Sequence, residues 1–232
     1  MDTIGERWQA VRSRIETAAL AAGRTPGSVH LLAVSKAHTA SELRKVYAAG
    51  QRKFGENYLQ EALDKQQELQ ELDIEWHFIG PIQSNKTQPI ARHFDWVHSV
   101  DRSKIADRLN AARSMELPRL QVCIQVNISE ETSKSGIAIQ DVMALAAYIQ
   151  QLPRLQLRGL MTIPAPTTDP MQQQAQFHAV RQIYNQLLAQ GYALDTLSMG
   201  MSEDFPAAIL EGATIVRVGS AIFGPRIKST VE

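Results

Sequence analysis

Hydrophobic and polar positions along this chain switch repeatedly between two periods. Short runs rich in apolar and β-branched residues alternate with longer stretches in which apolar residues recur three and four positions apart. The short runs are VHLLAVS (29–35), RKFG (52–55), EWHFI (75–79), WVHSV (96–100), LQVCIQVNI (120–128), LQLRGLM (155–161), DTLSMG (195–200) and TIVRVG (214–219). They predict eight strands. Helical patterning opens the chain, recurs near 40–49 before Gly50, and is clearest over 101–116, 139–151 and 170–190. Within the last of these, Phe177, Val180, Ile183 or Tyr184, and Leu187 form an apolar stripe that reads as core packing. Strands alternating with helices indicate a parallel sheet with crossover connections, the α/β class. Eight such units close naturally into a TIM-type (β/α)8 barrel, here preceded by an N-terminal helix. An open doubly wound sheet has the same periodicity, because periodicity alone does not establish closure.

Composition bounds the picture. The chain has 232 residues and 44% hydrophobic content, which predicts one domain over 1–232 with one substantial core. Lysine plus arginine and aspartate plus glutamate both number 24, so no net field draws the chain to nucleic acid or an anionic membrane. Cys123 is the only cysteine, which excludes a disulfide framework and a thiolate metal cluster and suits a reducing compartment. With no long apolar run and a mixed-charge amphipathic N-terminus, the expectation is a cytoplasmic protein.

A barrel of this kind carries its chemistry where strands end and loops begin. Lys36 follows the first strand and Asn57 the second; His77 and Gly80 mark the third, and Ser99 the fourth. Asn127, Met161, Ser198 and the pair Arg217 and Gly219 follow in turn. Singly, each polar residue reads as an ordinary loop residue. The segments SMGMSED (198–204) and RVGSAIFG (217–224) are more specific, since each is rich in glycine and hydroxyls and leads from a strand toward a helix. Backbone N–H groups in such turns bind phosphate, with Gly219 allowing close approach and Ser198, Ser202 and Ser220 offering hydroxyls. Read alone, each serine is equally well a helix cap. A lysine at the end of a buried strand is costly unless its side chain escapes to solvent or its amine is useful. Lys36 facing a phosphate cradle points to pyridoxal 5'-phosphate, held through an imine (Schiff base) to the amine and through its phosphate. Arg217 then falls where a guanidinium would meet the pyridine nitrogen. Because arginine cannot accept a proton, the ring would be a weak electron sink.

The chain resembles the pyridoxal phosphate homeostasis protein family through AVSK (33–36), FGENY (54–58), WHFIGPIQSNK (76–86), HSVD (98–101), VNISEETSKSG (126–136), LRGLMTI (157–163), LSMGMSEDFPAAI (197–209) and RVGSAIFGPR (217–226). These motifs span nearly the whole chain in order. The resemblance implies a single barrel like the N-terminal domain of alanine racemase, with Lys36 holding the cofactor. It places Ser198, Ser202, Gly219 and Ser220 at the phosphate, Arg217 at the ring nitrogen and Asn57 near the ring. The one difference noted, Ile82 in PIQSNK, puts nothing in doubt.

Two functions compete. The resemblance implies a protein of vitamin B6 homeostasis that carries or buffers pyridoxal phosphate, with effects on amino-acid and keto-acid balance. Its partners would be the cofactor and, transiently, apo-enzymes that receive it, and a monomer is expected. The alternative is an amino-acid racemase or related enzyme using the same imine. Racemization requires a second acid/base on the other cofactor face, which resembling enzymes take from an additional β-domain and a partner subunit. This sequence stops at Glu232, and Tyr58, beside FGEN, shows no reason to reach a substrate carbon. The expectation is therefore no efficient catalysis. His77, His93 and His98 lack metal-ligand spacing and read as structural or surface residues. Lys86 and Lys134, in the loops after the third and fifth strands, read as solvated charges, with a place facing the barrel mouth as the alternative.

Overall fold

In a computed structural model of the chain, residues 3–129 and 135–225 are described. The N-terminal helix α1 (Ile4–Ala21) leads to β1 (His30–Val34), α2 (Ala40–Ala48), β2 (Lys53–Glu56), α3 (Leu59–Glu68) and β3 (Glu75–Phe78). Next come α4 (Thr87–His93), β4 (Trp96–Val100), α5 (Ser103–Ala112) and β5 (Leu120–Asn127). The chain continues with a two-residue strand β6 (Ile137–Ala138), α6 (Val142–Gln150), β7 (Leu155–Thr162) and α7 (Pro170–Ala189). It ends with β8 (Thr196–Ser198), α8 (Phe205–Leu210), β9 (Ile215–Val218) and the short α9 (Ser220–Phe223).

Every strand pairing is parallel. β1 lies between β2 and β9, the order runs β4-β3-β2-β1-β9-β8-β7-β5, and β4 also pairs with β5. That last pairing closes the sheet, so the eight predicted strands form a barrel and the open-sheet alternative is excluded. The small β6 was not anticipated. It adds to the C-terminal end of β5 through Val126↔Ile137 and Asn127↔Ala138 and lies outside the closed ring.

Local signals explain where the helices start. Thr3 with Glu6, and Thr39 with Glu42, form capping boxes that satisfy backbone N–H groups the first turn leaves without partners. Asp169 caps α7 ahead of Pro170, whose missing N–H costs nothing at a helix start. Along each strand, side chains alternate between two surfaces. In β3, Trp76 and Phe78 join the large apolar layer between barrel and helices, so Glu75, His77 and Ile79 face the barrel interior. The α7 stripe resolves to Phe177, Val180, Ile183 and Leu187, all buried, with Tyr184 only partly covered.

The interior differs from that outer layer. It contains two small apolar clusters, Leu32 with Ile79 and Ile215, and Trp96 with Cys123 and Met161. Alongside them lie the fully buried polar side chains His77, His98 and Ser198, with Arg217 only 4% exposed. Burial pushes the Cys123 thiol up to about 12, so it is a packing residue and not a nucleophile. Among the described residues, no helix is long and apolar enough to cross a membrane, and no group of three metal-ligating side chains converges.

Candidate functional site

A cavity of about 350 Å³ opens at the C-terminal ends of the strands, where barrel chemistry is expected. Its wall includes Lys36 after β1, Asn57 after β2, Ser202 after β8, Arg217 in β9, and Gly219 with Ser220 at the turn into α9. Val34, Ile79 and Phe177 supply apolar wall, and the loop 163–167 closes one side.

The lysine turn is built with care. Lys36 is half-buried, at the cavity wall and not inside the core. The residue before it, Ser35, is fully buried; its N–H donates to Gly55 O at 3.0 Å and its hydroxyl to Glu56 Oε1 at 2.6 Å. The residue after it, Ala37, has φ of 63°, a left-handed conformation a side chain disfavours, and its N–H donates to Glu61 Oε1 at 2.6 Å. Lys65 links both sides, donating to Ser35 O and Glu56 Oε1, each at 2.7 Å, and to Glu61 Oε1 at 2.5 Å. Burial pushes the Glu56 carboxyl up, and the Lys65 ammonium opposes that. On the far side His38 stacks on Phe223 with centroids 4.6 Å apart, tying the turn to α9. Ser35, Glu56, Glu61 and Lys65 were not singled out in the sequence, whose one signal is the i,i+4 spacing of Glu61 and Lys65 in α3.

Arg217 is the second anchor. Its Nη1 donates to the Ser198 carbonyl at 2.7 Å and hydroxyl at 2.9 Å, and its Nη2 to the Thr162 carbonyl at 2.8 Å. Burial lowers its pKa to about 10, partly offset by Asp204, which leaves it a cation at neutral pH. Ser198, expected at the phosphate, has its hydroxyl engaged in the barrel interior in this structure. It is absent from the cavity wall, and its hydroxyl lies between Arg217 and His98 Nδ1 at 2.8 Å.

The other expected residues converge with two refinements. Gly219 lacks a side chain because a Cβ there would sit 2.9 Å from Val34 O, so strand packing demands it as well as any ligand. Asn57 reaches its place because Gly80 leaves room: a Cβ at Gly80 would meet Asn57 O at 2.2 Å. Asn57 Oδ1 is buried without a hydrogen-bond partner, an atom that a bound ligand would satisfy. Ser202 is half-buried and Ser220 exposed. The nearby Asp204 carboxylate is turned back to accept from Met201 N–H, which keeps it engaged within its own loop. His77 and His98 are fully buried in the barrel interior, while His93 and Lys86 are exposed. Lys134 lies outside the described residues.

A parallel barrel with a lysine, an arginine and hydroxyl-bearing turns at its C-terminal mouth belongs to the class of barrels typified by the alanine racemase N-terminal domain. The family model described as alanine racemase, N-terminal domain, matches residues 7–226. The chain is 59% identical over 226 residues to the pyridoxal phosphate homeostasis protein of Pseudomonas aeruginosa, covering 97% of each. It is 50% identical over 232 residues to the protein of that name from Escherichia coli K12, covering 97% of this chain and 98% of the other. PipY of Synechococcus elongatus, solved with PLP bound, superposes with a TM-score of 0.83 at 41% identity over 96% of this chain and 100% of that one. Alanine racemase of Corynebacterium glutamicum shares the fold at 18% identity and TM-score 0.67; the match covers 63% of its length. The chain belongs to the pyridoxal phosphate homeostasis protein family, within the alanine racemase N-terminal domain group.

Proposed function

We propose that this protein binds pyridoxal 5'-phosphate at the barrel mouth and carries or buffers it without efficient catalysis. One observation carries the reading: Lys36, Asn57, Ser202, Arg217, Gly219 and Ser220 line a single cavity. Those groups answer the separate handles of this cofactor, and the unpartnered Asn57 Oδ1 marks a polar atom awaiting a ligand. The 41% identity to PipY, solved with PLP bound, supports the same reading. When bound, the cofactor supplies an aldehyde that condenses with a primary amine, losing water.

The chain's own residues set the rest. Lys36 supplies the amine, and the Ser35–Lys65–Glu61 contacts hold its turn so that little conformational freedom is lost on attachment. Ser202, Ser220 and the Gly219 backbone would hold the phosphate, and Asn57 would orient the ring. Arg217 would face the ring nitrogen as a donor and would not protonate it, since a guanidinium remains cationic. Proton transfer at an amino-acid carbon would also need a second acid/base opposite Lys36; among the described residues, the titratable groups on the cavity wall, besides Lys36 and Arg217, are the carboxylates Glu203 and Asp204, and Asp204 is engaged by Met201 N–H. The names of the relatives agree with a role in homeostasis. We further read the protein as a cytoplasmic monomer that hands its cofactor to apo-enzymes.

The test is an absorption spectrum of the loaded protein before and after borohydride, run beside deuterium wash-in at the α-carbon of common amino acids. A band lost irreversibly to reduction, with wash-in far below about 1 s⁻¹, is expected. Wash-in in the ordinary enzymatic range would establish the racemase-like alternative instead.

A further inference from the structure

A file of polar side chains crosses the barrel interior from its base to the cavity. Glu75, at the start of β3, is half-exposed and lies 3.2 Å from Lys53 Nζ at the opposite end from the cofactor cavity. Its Oε1 is 2.8 Å from His77 Nε2; His77 Nδ1 is 2.8 Å from His98 Nε2; and His98 Nδ1 is 2.8 Å from Ser198 Oγ. Arg217 Nη1 completes the file at 2.9 Å from that same oxygen. The ring of His77 also stacks on Trp96, with centroids 5.4 Å apart and planes within 9°.

The direction of every proton follows from the two ends. Burial keeps both imidazoles neutral, the effect being strongest at His98, which also faces the Arg217 charge. A carboxylate only accepts, so His77 donates from Nε2, which leaves its Nδ1 an acceptor. His98 must then donate from Nε2 and accept at Nδ1, and the proton it accepts is that of the Ser198 hydroxyl. From the other end, the guanidinium only donates, so Ser198 Oγ accepts from Arg217 and passes its own proton on to His98. Both chains of reasoning give the same tautomers with every partner satisfied. Arg217 has no carboxylate among its described partners, which are two backbone carbonyls and Ser198. A buried cation of that kind is stabilised by a polarised row of donors and acceptors ending on a distant anion.

We propose that Glu75, His77, His98 and Ser198 are positioning residues, a one-directional hydrogen-bond relay that fixes Arg217 and links its charge to a carboxylate at the barrel base. The relay rests on the proposed function only in its effect on the cofactor: through Arg217 it sets the electronic environment of the ring nitrogen.

The first test needs no cofactor. Long-range proton–nitrogen NMR of the ¹⁵N-labelled wild-type chain at pH 7.5 should show His77 and His98 both neutral and both protonated at Nε2. An Nδ1 proton or an imidazolium at either residue would overturn the relay. The second test uses Glu75→Gln, which keeps an acceptor for His77 but loses the charge, and Glu75→Leu, which loses both. Glu75 is half-exposed, so neither variant opens a core cavity. After loading with pyridoxal 5'-phosphate ¹⁵N-labelled in the ring, both variants should move the ring-nitrogen resonance. Gln should preserve the tautomers, whereas Leu should disturb them and weaken cofactor retention roughly tenfold. A purely structural role would lower stability and leave tautomers and resonance as in wild type, and that result would sink the proposal. If wild type itself fails to retain the cofactor, the proposed function falls, and the tautomers of the apo-protein decide the relay alone.

Discussion

The ammonium of Lys65 lies 2.7 Å from the carbonyl of Ser35, the residue immediately before Lys36. The same ammonium joins Glu56 and Glu61, and Glu61 accepts from Ala37 N–H on the other side of the turn. One buried cation thus holds both flanks of Lys36.

Removing that cation should be costly. Lys65→Met leaves Glu56 charged and buried with no counter-ion, and breaking a buried pair from one side costs about 3–5 kcal/mol. Urea unfolding measures it, and the double variant Glu56→Gln/Lys65→Met should recover part of the loss. A loss below about 1 kcal/mol would show that the cluster contributes little, as exposed pairs do.

Ala37 provides a test of opposite sign. An alanine in the left-handed region carries about 1 kcal/mol of strain that glycine does not. Ala37→Gly should leave stability unchanged or raise it by up to about 1 kcal/mol, because the added freedom of the unfolded chain offsets part of the relief. Slower covalent capture of the cofactor in this variant would show that the strained turn also pre-sets Lys36.

Lys36→Ala should abolish covalent trapping of the cofactor by borohydride while the protein stays folded. The side chain is half-buried and truncating it opens no core void, so unfolding free energy should move by no more than about 1 kcal/mol. Residual trapping at wild-type yield would place the attachment elsewhere.

Gly219→Val should weaken retention at least about tenfold on dialysis. Its Cβ would meet Val34 O at 2.9 Å, and the strain is relieved only by moving the end of β1 or the cavity wall, at a cost of about 1–3 kcal/mol. Unchanged retention would count against the phosphate assignment.

Acid should destabilise the protein in two stages. His77 and His98 are held below the ordinary imidazole value of 6.5 by burial, so the unfolded chain binds protons that the folded one refuses. Their contribution is complete above about pH 6.5 and declines as pH falls below it, by up to about 1.4 kcal/mol per pH unit for each ring. Burial pushes the Glu75 carboxyl up, but the hydrogen bond from His77 and the Lys53 ammonium outweigh it and hold it at about 2. Its stabilisation is present above the usual value of 4.5 and lost as pH falls from there toward 2. Because the side chain is 36% exposed, that second loss is about 1–2 kcal/mol after solvent screening. Denaturant titrations from pH 8 to pH 4 check the first stage, and His98→Gln should flatten it.

Local physics made much of this protein readable from its sequence. Each strand of the closed ring announces itself by composition and the longest helix, α7, by its apolar stripe, because the forces behind these features act within a few residues. Lys36, Gly219 and the serine-bearing turns also stood out, since a lysine ending a buried strand is costly and glycine- and serine-bearing turns ahead of helices present phosphate-binding N–H groups. The tertiary structure decided what depends on distant partners. Closure of the sheet rests on β4 meeting β5 and β1 meeting β9. Ser198 looked like a phosphate ligand in its own segment, yet His98, a hundred positions away, and Arg217 take its hydroxyl into the barrel interior. His77 and His98 carried no recognisable spacing because the geometry joining them runs across strands, and Lys65 gained its role only when α3 packed under the turn of β1. Side-chain alternation shows which residues point inward; which inward residues meet is set by strand tilt and register around the closed ring, and those exist only once the whole barrel has formed.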